Sequence, residues 1–130
     1  MAEIAYGYRR VVSLAYGAAV AKVRDELKKE GFGVLTEIDV KDTLKNKLGV
    51  EFDDYIILGA CNPPFAYQAL RAERDIGLLM PCNLVVYADG DRVIVAATLP
   101  TVTMNSVRNE KLAPIAAQVE QKLRKVVDSI

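Results

Sequence analysis

The chain has 130 residues, 52% of them hydrophobic and 26% charged, a length and balance that suit one globular domain over residues 1–130 and exclude a disordered or fibrous chain. Its 17 Lys and Arg offset 17 Asp and Glu, so no net field draws it to nucleic acid or to an anionic membrane, and neither partner is expected. Histidine is absent, which removes the usual general base, the commonest metal ligand and the partner of most catalytic cysteines and serines.

Taken in chain order, Ile4, Tyr6, Tyr8, Val11 and Val12 suggest a first strand over residues 3–12, ending near Ser13, a residue suited to cap a helix. The stretch "RRVVSLAYGAAVAK" has the paired arginines and apolar run of an export signal. Its apolar stripe, however, continues at helical spacing through Tyr16, Val20, Val23 and Leu27, past any cleavage point. A helix is therefore expected, ending at Glu30 with Gly31 free to take a left-handed conformation. No stretch approaches the roughly 18 apolar residues of a membrane span.

"FGVLTEIDV" reads as a second strand. "DVKDTLKNKLG" reads as a short helix, with Asp39 as its cap, Gly49 as its end and an apolar edge of Val40, Leu44 and Leu48. "DYIILGA" is continuous enough for a buried strand. A helix from Pro63 to Arg74, closed by Gly77, is expected next. "CNLVVYADGDRVIVAATL" predicts an antiparallel hairpin turning at Asp89-Gly90, because glycine accepts a positive φ. Leu112, Ala116, Val119, Leu123, Val126 and Ile130 then mark a long amphipathic helix, able to lie on a sheet or on a second copy of itself. Pro114 places its start nearby or bends it. The charge-rich segments "KVRDELKKEG" and "QKLRKVV" read as solvated helix faces. This order predicts an α+β fold, with helices laid on one face of a mostly antiparallel sheet.

Chemistry concentrates at two Cys-Asn corners. In "ACNPP" Cys61 ends a strand, Asn62 is a good cap residue and Pro63 suits the first helical position. Cys61 is either a small core residue or a thiol activated by the helix N-terminus. "PCNLVV" repeats the pair at Cys82 and Asn83. If the two strands are neighbours, the thiols come within reach as a redox couple or a two-thiolate site. Two cysteines without CxxC spacing or histidine exclude a disulfide framework and give little metal signal. A reduced, cytoplasmic protein with no cofactor is the plain expectation. Glu37 and Asp39 share one side of a strand, where they either bind a cation or guard an exposed edge. No phosphate loop, dinucleotide glycine pattern, nucleophile elbow or RNA-binding aromatic motif occurs.

The blocks "GFGVLTEIDVKDTLKNKLGV", "YIILGACNPPFAYQAL" and "DIGLLMPCNLVVY" together resemble the family described as domain of unknown function 302. The resemblance implies a strand, helix, four strands, helix sandwich similar to the TATA-box-binding-protein fold, assembled as a homodimer. It implies no activity. It draws attention to Glu37, Asp39, Cys61, Asn62, Pro63, Leu79, Pro81, Cys82 and Asn83. It also implies an Asp-Pro after the second hairpin strand, where this chain has Leu99-Pro100. The leading expectation is a homodimeric binding module for a small ligand, thiol compound or metal near Glu37, Asp39, Cys61, Asn62, Cys82 and Asn83, with no catalytic residue assigned. The alternatives are a redox or sulfur-handling enzyme using Cys61 with Cys82, and a structural subunit docking through the 112–130 seam.

Overall fold

A computed structural model of the chain describes residues 4–130. Strand β1 (Gly7–Val12) leads into helix α1 (Tyr16–Lys29), strand β2 (Gly33–Asp39) and helix α2 (Val40–Leu48). Strand β3 (Tyr55–Cys61) is followed by helix α3 (Pro63–Ala72) and a 3-10 segment, then by the hairpin strands β4 (Cys82–Asp89) and β5 (Arg92–Thr98). A short helix α4 (Pro100–Thr103) and the long helix α5 (Leu112–Asp128) complete the chain. The strands form one antiparallel sheet in the order β1-β5-β4-β3-β2. The expected α+β order of strand, helix, four strands and helix is observed, with short helices inserted in the connections.

One face of the sheet carries Val12, Ile56, Leu58, Leu84, Val86, Val93 and Val95, which join residues of α1 and α5 in a single core. The stripe of α5 is used entirely inside its own chain: Leu112, Ile115, Ala116, Val119, Leu123, Val126 and Val127 are all buried. This corrects the expectation of a docking seam over residues 112–130. A 3.6-residue apolar period looks the same whether the partner is a sheet or another chain. The opposite face of the sheet presents Val11 and Ile38, 40% and 48% exposed, and the cross-strand pair Tyr55 and Tyr87, whose rings stack 5.1 Å apart.

Several local expectations are met for the expected reasons. Asp39 accepts a hydrogen bond from the Asp42 amide at 3.0 Å and caps α2, and Gly49 ends it at φ 68°. At the end of α1, Gly31 adopts φ 86°. There the Phe32 and Gly31 amides donate to Leu27 and Lys28 carbonyls at 3.0 and 3.1 Å, a Schellman closure. Pro114 falls in the first turn of α5, where its missing amide has no helical partner to lose.

Other expectations are corrected. The predicted strand start at Glu3 lies outside the described residues. Ser13 does not cap α1, whose N-cap position is Ala15. Helix α3 stops at Ala72, with Glu73 extended, and Gly77 lies inside the following 3-10 segment rather than closing a helix. The hairpin loop is Gly90-Asp91, one residue later than predicted, with Gly90 at φ 63° in its first position as a type II′ turn requires. Glu26 is buried rather than solvated. Lys22 and Lys29 donate to its carboxylate at 2.9 and 3.1 Å, and these bonds hold its carboxyl below the usual carboxylate range.

One close approach fixes the site end of the sheet. A Cβ on Gly59 would lie 2.1 Å from Thr36 Oγ1 and 2.7 Å from Pro81 Cγ, and the β2–β3 register shifts at a bulge between Val34 and Thr36. Only glycine admits both neighbours. Gly59→Ala is expected to destabilise the fold by about 2–3 kcal/mol through overpacking, read from urea unfolding. A change within about 0.5 kcal/mol, the range of an ordinary surface substitution, would mean that the approach is slack.

Candidate thiol pocket

Strands β3 and β4 pair with Ala60 opposite Cys82 and Gly59 opposite Asn83. The two Cys-Asn corners, remote in sequence, are therefore neighbours. Cys61 and Cys82, both free thiols, line one pocket with Phe32, Ala60, Asn62, Phe65, Met80 and Met104, and Ile115, Ala116 and Val119 of α5 form its far wall. The space open to a small molecule is about 40 Å³, room for roughly two or three waters' worth of atoms.

Asn62 occupies the N-cap position of α3 in an extended conformation, yet its side chain caps nothing there. Pro63 and Pro64 fill the first two helical positions, so the second-position amide that such a side chain often bonds does not exist. Instead the buried Asn62 Nδ2 donates to the Glu30 carbonyl at 3.1 Å, satisfying a carbonyl at the end of α1. The same prolines leave the N-terminus of α3 poor in donors, which weakens the expectation that it activates the Cys61 thiol.

Three of the six residues singled out from sequence thus meet at the pocket: Cys61, Asn62 and Cys82. The other three do not line it. Glu37 forms an ion pair with Arg24 of α1, Asp39 caps α2, and Asn83 is exposed, one residue on from Cys82 and so on the opposite face of the strand.

Two lining residues, Met80 and Met104, were missed. Met80 immediately precedes the "PCN" corner, joined to Pro81 by a cis peptide, and that adjacency was a usable signal. Met104 follows α4 and reaches the pocket only through the tertiary fold. Helix α4 is held against α5 by Glu120, whose Oε1 accepts from the Thr101 amide at 3.0 Å and from its hydroxyl at 2.6 Å. The cap that an acidic residue at position 99 would supply is made by α5 instead. Leu99 is buried.

Burial, reinforced by the neighbouring Cys61 thiol, pushes the Cys82 thiol up to about 11. Cys82 is therefore protonated at neutral pH, which disfavours it as an attacking or resolving thiolate. In the unfolded chain a thiol titrates near ~8.5. The stabilising contribution of the protonated, buried thiol is thus complete below about pH 8.5 and is lost as pH rises to about 11. Native alkylation of Cys82, followed by peptide mass spectrometry across a pH series, should rise with a midpoint near the higher value and shift to the lower one in denaturant. A native midpoint at or below about 8.5 would show an activated thiol.

The family described as "Domain of unknown function DUF302" matches residues 8–130. Among solved structures, a crystal structure of an uncharacterized conserved DUF302 protein from Bacillus stearothermophilus is similar, with 31% sequence identity and a TM-score of 0.91 over 97% of this chain and 98% of that one. None of the curated proteins matches the chain. With both the family match and the solved fold spanning nearly its whole length, the chain belongs to the DUF302 family.

Proposed function

We infer that the protein is a homodimeric binding module of the reducing cytoplasm, holding a very small, soft ligand between its two Cys-Asn corners. The observation that carries this reading is the meeting of two free thiols at one apolar pocket whose only side-chain amide among the described residues, that of Asn62, is already used on Glu30. With no histidine in the chain and Cys82 held protonated, retention of a ligand suits these residues better than turnover. The restricted space favours an ion or a compound of a few atoms over an ordinary metabolite, which needs a pocket of several hundred Å³ (roughly 300 or more). Cys61→Ser together with Cys82→Ser should strip the purified protein of bound metal or sulfur species measured by elemental analysis and native mass spectrometry. Unchanged content would remove the reading.

For the dimer, the support is the sheet face away from α1 and α5, which exposes Val11 and Ile38 and carries the half-buried Tyr55–Tyr87 stack. Exposed apolar side chains gathered on one face of a sheet suit an association site. Sedimentation velocity should give a dimer for the wild type and a monomer for Val11→Lys/Ile38→Lys, two sites exposed enough for the fold to tolerate a charge. A wild-type monomer at tens of micromolar, or a dimer indifferent to both lysines, contradicts it.

A further inference from the structure

The chain contains two cysteines and three methionines. Met1 lies outside the described residues, and the other four sulfur side chains, Cys61, Met80, Cys82 and Met104, line the same cavity. They arrive from separate places: the end of β3, the turn before β4, the start of β4 and the segment after α4. Gap-filling by a methionine explains one such residue, but not the collection of every described sulfur at one point. We propose that Cys61, Cys82, Met80 and Met104 form an all-sulfur site for a soft monovalent metal ion, copper(I).

The ligand chemistry selects the ion. Thiolate and thioether donors together favour copper(I), whereas zinc sites are built from thiolate, imidazole and carboxylate, and calcium and magnesium require oxygen. Among the described residues no carboxylate lines the cavity, and the chain has no imidazole to offer. On binding, the S–H bond of each coordinating cysteine breaks, its proton leaves to solvent and a copper–sulfur bond forms, while the two thioethers join as neutral donors. The singly charged ion offsets one of the two thiolate charges. The space of about 40 Å³ admits an ion more readily than a molecule.

This inference rests on the ligand-binding reading of the Cys61 and Cys82 corners, and its test separates the two. Reduced protein is titrated anaerobically with copper(I) supplied as its acetonitrile complex, in competition with a chromophoric copper(I) chelator. The expected result is one copper per chain, at least about tenfold weaker binding for Met80→Leu/Met104→Leu, and none for Cys61→Ser/Cys82→Ser. Leucine preserves volume and apolarity, and thermal melting checks the fold of each variant. If the leucine variant fails to fold, selenomethionine-labelled wild type takes its place: absorption at the selenium edge should reveal a copper neighbour. Binding unaffected by the leucines, or selenium without a copper neighbour, overturns the four-sulfur site and leaves the thiol pocket standing. No uptake by the wild type also overturns it. Uptake unchanged in the cysteine variant overturns both.

Discussion

Everything at the site depends on the missing side chain of Gly59. Its bare Cα lets Thr36 of β2 and Pro81, next to Cys82, close over β3 from two directions. Gly59 is two residues before Cys61, and Pro81 is one before Cys82, so a single close approach sets both cysteine corners. The antiparallel register then does the rest: with Ala60 opposite Cys82, the pocket exists as soon as the strands pair.

A second tie comes from outside the sheet. Asn62 Nδ2 bonds the last carbonyl region of α1, while the left-handed Gly31 turns the chain there directly into β2. The end of one helix and the start of another are thereby joined at the pocket rim. Helix α5 supplies the far wall through Ile115, Ala116 and Val119. Glu120, on the same helix, secures α4 and with it Met104. A substitution that loosens α5 would therefore reach the pocket twice, through its wall and through its methionine.

What was legible in the sequence was what is local. The Asp39 cap, the Gly31 and Gly49 helix ends, and the hairpin all follow from a few residues acting on their own backbone, and the order of elements was enough for the fold class. Where a residue acts across the structure, local rules pointed elsewhere. Asn62 has the identity of a cap and the position of one, but the second proline removes a donor that it would serve. Glu26 looked like surface charge because its two lysine partners sit on the same helix face, and burial by neighbouring elements is invisible from that face alone. The α5 stripe could not announce whether its partner was its own sheet. Among the site residues, Cys61 and Cys82 were flagged by their repeated Cys-Asn context, whereas Met104 carried no local mark, since its relation to the thiols is created by α4 and α5.

The pocket that results is unusual in composition more than in size. It combines four sulfurs with mostly hydrocarbon walls and, among the described residues, holds no charged side chain for an ordinary polar metabolite. The measurement that tests this account most directly is an anomalous difference map, collected above the copper absorption edge, from crystals of reduced protein equilibrated with copper(I). A single strong peak enclosed by Cys61, Met80, Cys82 and Met104 is the predicted result. Copper found only on the outer surface, with the four sulfurs packed against one another and no peak between them, would contradict it and make the pocket part of the core.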